Sequence, residues 1–197
     1  MVMVHALRRE CLKSIIVCIV LLLSFHSVPN KTSAQEMLLF SFGKGKTQVR
    51  FYADYFCGPC SGLEPKIEYL VSDLVKRDII TIIFVDVPFH KHSSTYAKYF
   101  LYVLNEKKEI GRALKARAAL FEGAKENIFE EEQLEAYLRK QGFRFKPFDA
   151  KPVFTVFQTY LREDNIHSTP TCVIADGKKK EVLNGADNIA KALESLK

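Results

Sequence analysis

Apolar positions keep one rhythm near the two ends of the chain and another across its middle. Met37 to Phe42 and Thr47 to Tyr52 are short runs rich in aromatic and branched residues. Gly43-Lys44-Gly45-Lys46 lies between them, which predicts two strands around a turn. Gly45-Lys46-Thr47 matches the end of a phosphate loop, but Phe40 stands where that motif needs its first glycine, so the turn is the better reading. Beyond Cys57 the period lengthens. Leu63, Ile67, Leu70, Val71 and Leu74 mark one face of a helix. Asp78 to Val87 (DIITIIFVDV) is then almost continuously apolar, as a strand buried on both faces would be. Strand, helix and buried strand in this order predict a βαβ unit with a parallel pair.

From about Lys91 to Asn165 the pattern is helical throughout, with Gly123, Gly142 and Pro147 punctuating the segments. Tyr96, Tyr99, Phe100, Val103 and Leu104 form one stripe, and Ile110, Leu114, Ala118 and Phe121 a second. Leu134, Tyr137 and Leu138 form a third, and Val153, Val156, Phe157, Tyr160 and Leu161 a fourth. Such stripes are expected as the core of a helix bundle rather than as a cofactor pocket. Strands return with Thr171 to Ala175 and Lys180 to Leu183, which flank the hairpin signal Asp176-Gly177. Ile189, Leu193 and Leu196 line a closing helix.

Composition narrows the possibilities. The chain has 197 residues and is 48% hydrophobic, enough for one domain with a real core. Its formal charge is +6, but residues 35–197 carry 25 basic and 22 acidic side chains, a balance of only +3. That is poor support for nucleic-acid binding, and no nucleic-acid partner is expected. Arg8, Arg9 and Lys13 precede a short apolar run from Ser14 to Phe25, and Thr32-Ser33-Ala34 supplies small residues beyond it. Residues 1–34 are therefore read as an export signal. A run of this length falls short of the roughly 20 residues that span a bilayer, so cleavage is preferred over a permanent anchor. Export implies an oxidising, extracytoplasmic compartment such as the periplasm. Of five cysteines, Cys57, Cys60 and Cys172 would remain in the mature chain.

Cys57-Gly58-Pro59-Cys60 carries the candidate chemistry. Two cysteines three apart, where a helix begins, are neighbours one turn apart, at a separation that suits a disulfide. The free N–H groups and dipole of a helix start favour a thiolate at Cys57, and Pro59 is tolerated in the first turn. Three readings are open: a redox pair, half of a zinc site, or an inert structural disulfide. Zinc needs four ligands. There is no second C-x-x-C, and Cys172, His90, His92 and His167 are scattered along the chain. An inert bridge closing so short a loop would constrain the unfolded chain little.

With these elements in order, the chain resembles the thioredoxin fold: strand, CGPC, long helix, strand, a late proline, a hairpin and a closing helix. Pro65 stands where thioredoxins carry a helix-kinking proline, and Thr169-Pro170 where they carry a cis-proline loop. The helical stretch at 91–165, Asp54-Tyr55 and Pro88-Phe89-His90 resemble DsbA-like proteins. The resemblance covers roughly Gln48 to Lys197. It implies an α/β, thioredoxin-like domain over 35–197, a central mixed sheet with flanking helices and an inserted all-helical subdomain at 91–165. It further implies a thiol–disulfide oxidoreductase with Cys57 as nucleophile and Cys60 as resolving thiol, flanking the active-site dipeptide Gly58-Pro59. Thr169 and the cis Pro170 would border an extended substrate. No metal or organic cofactor is implied. The partners would be exported proteins with cysteine pairs and a recycling redox partner, membrane-bound.

Two departures from the family pattern stand out. Phe51 occupies the position six residues before Cys57 where many relatives carry a buried acid, so no general base is assigned. The Gly-Pro dipeptide resembles thioredoxin rather than the His-containing oxidants, so oxidation and reduction or isomerisation are both open. Cys172 is expected to be a buried, inert thiol, and His167 to border the site without an assigned role. The rival reading from another class is a non-catalytic binding or chaperone-like module on the same fold.

Overall fold

Among the described residues, five strands and six helices follow the order β1 (Ser41–Phe42), β2 (Thr47–Ala53), α1 (Gly58–Lys76), β3 (Ile80–Asp86), α2 (Ser93–Glu106), α3 (Ile110–Lys125), α4 (Glu131–Lys140), α5 (Lys151–Glu163), β4 (Thr171–Ala175), β5 (Lys180–Asn184) and α6 (Ala186–Glu194). The structure, a computed structural model, describes residues 40–197. The expected export signal at 1–34 lies outside the described residues, as do Met37 to Leu39 of the first expected strand. No helix among the described residues is long and apolar enough to cross a membrane.

The strands form one mixed sheet in the order β1-β3-β2-β4-β5. β2 and β3 are parallel, joined through α1 as the βαβ pattern predicts, and the other neighbours are antiparallel. The turn after β1 does not make a hairpin with β2, because β1 pairs with β3 instead. Gly43 and Gly45 allow this. A Cβ on Gly43 would sit 2.2 Å from the Ile80 carbonyl oxygen, and one on Gly45 would sit 2.1 Å from the Ile79 carbonyl carbon. Only glycine lets the chain cross so close to the start of β3.

Alternation along β2 assigns its two faces. Val49, Phe51 and Ala53 point one way, with Ile82, Phe84 and Asp86 beside them in register on β3. This face meets α3, whose Arg117 packs on the rings of Phe51 and Phe84. Helix α1 packs against α3 and α6. Arg50 and Tyr52 point the other way, to the end of α5, where the buried Asp164 accepts hydrogen bonds from both. Lys180 on β5 adds a third partner to that carboxylate at 2.6 Å. Burial, together with Asp164, pushes the Tyr52 hydroxyl well above its ordinary pKa.

The helical insertion lies between β3 and β4. Its four sequence stripes correspond to α2, α3, α4 and α5. Of the expected breaks one needs correction, since Gly123 lies inside α3, but residues 141–150 form no helix, in keeping with Gly142 and Pro147. Gly142, at φ +83, ends α4, and Pro147 discourages a restart. Aromatic packing replaces helical hydrogen bonding there. Phe145 meets Tyr99 edge-on at 5.3 Å, and Phe148 stacks on Phe40 at 6.0 Å.

Candidate active site

Strand β2 ends at Ala53, and the chain turns sharply into α1. Asp54 organises that turn although it is almost fully buried. Its carboxylate accepts the Phe56 N–H at 2.8 Å, the Phe89 N–H at 2.9 Å and the His90 N–H at 3.2 Å. The Ser93 hydroxyl lies 2.8 Å from both oxygens, and His90 Nδ1 lies 3.2 Å from one. Asp54 thereby ties the segment entering Cys57 to the turn between β3 and α2. A buried carboxylate is tolerable only with such a full set of donors.

Cys57 is the N-cap of α1, in extended backbone geometry, with Pro59 in the first turn. The Cys60 N–H donates to the Cys57 sulfur at 3.2 Å. This arrangement favours negative charge on that sulfur, since the first-turn N–H groups have no helical acceptor. Cys57 and Cys60 are joined as a disulfide, with Cα atoms 5.2 Å apart. Cys57 is 8% exposed and Cys60 is not exposed at all. Gly58 and Pro59 are both exposed. The Thr169–Pro170 peptide bond is cis, and the Thr169 carbonyl oxygen lies 3.3 Å from the Cys57 sulfur. The structure therefore brings Cys57, Cys60, Thr169 and Pro170 together from the start of α1 and the loop before β4.

The other flagged residues have partners of their own. Cys172 is a free thiol, buried opposite Phe51 and Leu183, and burial pushes its pKa up to about 12. His167 is exposed and pairs with Asn165 at 2.9 Å. His90 belongs to the Asp54 turn, and His92 stacks on Phe129 at 4.6 Å. Among the described residues, no group of three or more His, Cys, Asp or Glu side chains could hold a metal ion. Phe56 lies against Tyr96 and Phe129, so Cys57 opens beside an aromatic surface of the insertion. A shallow cavity of about 220 Å³ runs from Phe56, Cys57 and Ser61 to Lys125 and Asn127.

Sequence reasoning missed a buried charge cluster at the start of α1. Glu64, one turn past Cys60, accepts from Arg117 Nε at 2.8 Å and Nη2 at 3.1 Å. Arg117 Nη1 donates to Asp86 at 3.3 Å, and the Tyr55 hydroxyl donates to the same carboxyl at 3.2 Å. All four side chains are buried. The signal was present in the pattern. Arg117 sits on the apolar stripe between Leu114 and Phe121, and Asp86 interrupts a strand otherwise buried on both faces. Burial pushes the Asp86 carboxyl up to about 7, against the opposing pull of Arg117 and Tyr55.

Comparison with known proteins agrees with this geometry. Among solved structures, a putative protein-disulfide isomerase from Pseudomonas syringae superposes with a TM-score of 0.64 at 15% identity, covering 81% of this chain and 98% of that one. A periplasmic thioredoxin-like protein from Salmonella enterica superposes with a TM-score of 0.56 at 19% identity, over 79% and 88% of the two chains. The thiol-disulfide exchange protein alpha-DsbA2 from Wolbachia pipientis gives 0.56 at 18% identity, over 85% and 91%. No curated protein matches the sequence. At these identities the structural likenesses establish the fold, a thioredoxin fold with the DsbA-like helical insertion. A family profile described as Thioredoxin matches residues 42–195. A profile match over that span, most of the chain and nearly all of the described fold, means that the chain belongs to the thioredoxin family.

Proposed function

We propose that this chain is an exported thiol–disulfide oxidoreductase. The observation that carries the reading is the asymmetry of the pair: Cys57 at the helix start with an N–H aimed at its sulfur, and Cys60 buried behind it. In the reducing direction the Cys57 thiolate attacks a substrate disulfide, releasing one substrate thiolate and forming a mixed disulfide. Cys60 then attacks the Cys57 sulfur, closing the Cys57–Cys60 bond and releasing the second substrate thiolate. Run backwards, the oxidised pair donates its disulfide to a substrate dithiol. The Thr169 carbonyl beside Cys57 offers an acceptor to an extended substrate backbone, and the Phe56 surface offers it apolar contact. Substrates would be cysteine pairs of other exported proteins, with a membrane-bound partner resetting the pair. The signal-like residues 1–34 support an extracytoplasmic location, as does the likeness to a protein described as periplasmic.

Cys57→Ser tests the reading against a non-catalytic binding module. Lost turnover with retained binding supports exchange, whereas full activity in that variant sinks it. Equilibration of the pair with glutathione or dithiothreitol then gives the direction. A potential near about −120 mV fits an oxidant and one near about −270 mV a reductant or isomerase.

A further inference from the structure

Charge is not spread evenly over the helical insertion. Helix α2 starts at the cysteine turn, where the Ser93 hydroxyl reaches Asp54, and carries the chain away from it. Helix α3 runs back and ends beside Cys57, with Ala124 and Lys125 lining the same cavity. Helix α4 runs out again, from the turn that holds Phe129 against Phe56. The C-termini of α2 and α4 and the N-terminus of α3 therefore meet at the end remote from Cys57. They are joined there: the Asn105 amide donates to the Lys146 carbonyl at 2.9 Å and Arg112 to the Arg144 carbonyl at 2.6 Å. Helix α2 has 14 residues and is about 21 Å long, so roughly that length separates this end from the site.

The two chain segments at the remote end, 106–112 and 139–146, hold seven basic residues and two acids, a balance of +5. The whole described fold, residues 40–197, has 25 basic and 21 acidic residues, a balance of +4. The remote end thus carries as much charge as the entire fold. Residues 122–132, at the Cys57 end, hold five acids and one lysine. Of the seven cations all but Arg112 are exposed. One carboxylate, Glu106, serves both Arg112 at 3.0 Å and Arg144 at 3.2 Å.

Helix stability does not account for these cations. The N-terminus of a helix is the positive end of its dipole and disfavours lysine and arginine. Lys107 and Lys108 nevertheless precede α3, Arg112 lies in its first turn, and no acid stands in that turn. The N-cap Glu109 makes no side-chain cap bond and pairs with Lys107 at 2.8 Å. Phe143 and Phe145 lie half-buried among the cations, 5.7 Å from the Arg112 guanidinium and 4.4 Å from that of Arg139.

We propose that this end of the insertion docks on the anionic phospholipid surface of a membrane. Headgroup phosphates supply the counter-charge, and aromatic rings between cations suit the boundary between headgroups and acyl chains. Turned over, the molecule would press the acidic stretch 122–132 against the same charge. The docked protein therefore stands with Cys57 directed away from the lipid, toward soluble substrates. A planar surface uses both ends of this charge separation, attracting one and repelling the other, whereas a soluble polyanion would use only the cations. Docking does not depend on the exchange reading above.

The test sediments the protein, recovered after export, with vesicles of phosphatidylcholine alone or of equal parts phosphatidylcholine and phosphatidylglycerol. Wild type should bind the anionic vesicles in low salt, leave them in high salt and ignore the neutral ones. The triple variant Lys107→Gln, Lys140→Gln, Lys146→Gln should partition about 100-fold more weakly, since each lysine near an anionic surface contributes roughly fivefold. A control, Lys178→Gln, Lys179→Gln, Lys191→Gln, removes the same charge from the β4–β5 hairpin and α6 and should bind as wild type does. Equal binding by wild type and the first variant, equal loss in the two variants, or tighter binding to duplex DNA than to anionic vesicles overturns the proposal. On vesicles, Cys57 of the reduced protein should react with iodoacetamide, a neutral reagent, as fast as in solution. Protection of Cys57 by the lipid overturns the orientation and the proposal with it.

Discussion

Replacing Arg117 with methionine isolates the energetics beneath the active site. The guanidinium is fully buried, with Phe51, Tyr55, Phe84, Phe100 and Phe121 all within 5.9 Å of its central carbon. Methionine is apolar and fills much of the same space, so the cavity term stays small. The main loss is electrostatic. Glu64 loses the partner of both its oxygens, and Asp86 loses its contact with the guanidinium. Removing one member of a buried ion pair costs about 3–5 kcal/mol, a large part of the 5–15 kcal/mol that holds a typical domain together. With a urea slope near 2 kcal/mol/M, the unfolding midpoint falls by about 2 M. The sign with pH is also determined. Without Arg117 the Asp86 carboxyl, already raised by burial, loses the cation that pulls its pKa down and rises further, so the folded state binds more protons than the unfolded one. Stability then falls as pH rises, and the deficit is largest above neutrality and shrinks toward about pH 5. Adding Glu64→Gln to the variant removes one orphaned charge and should recover about half the loss. Urea titrations at two pH values settle the matter. A variant within about 1 kcal/mol of wild type, or a deficit independent of pH, refutes the argument.

Further outcomes follow from the same geometry. Folded Asp86 has its pKa raised from 3.8 to about 7, so in wild type this group makes the protein less stable as pH rises between those values. The loss is about 4 kcal/mol, and Asp86→Asn should flatten that part of the stability–pH curve. Asp54→Ala leaves the Phe56, Phe89 and His90 N–H groups without their buried acceptor. It should cost about 2–4 kcal/mol in a thermal melt and broaden the amide signals around Cys57. Pro59→His places an imidazolium beside the Cys57 thiolate and should raise the reduction potential by about 20–60 mV in a glutathione titration, equivalent to roughly 1–3 kcal/mol. Cys172, buried and with its pKa pushed up to about 12, should resist iodoacetamide in native, reduced protein while Cys57 reacts readily.

Much of the fold was legible because it depends on local pattern. The apolar face from Leu63 to Leu74, the uninterrupted run at β3 and the four aromatic stripes of the insertion each declare an element through its own period. The hairpin at Asp176-Gly177 declares itself through turn chemistry: the Asp176 carboxylate accepts the Lys178 and Lys179 N–H groups at 2.9 and 2.8 Å. The cysteine pair was legible for the same reason, since both its members and the helix start that activates them lie within four residues. The break at 141–150 was legible in Gly142 and Pro147, whereas Gly123, which reads as a break by the same rule, lies inside α3.

Tertiary structure decided where β1 pairs, which carboxylate organises the cysteine turn and what lies beneath Cys60. Glu64, Asp86 and Arg117 belong to three elements separated by up to 53 residues, and each reads alone as an ordinary charged residue. Apart from the Phe56 N–H, Asp54 finds its donors 35 to 39 residues further on. Short-range sequence determines which backbone segments curl or extend, because those preferences are properties of neighbouring residues. Long-range packing decides which charges lose their water, and only a charge stripped of water must find a partner or hold a proton.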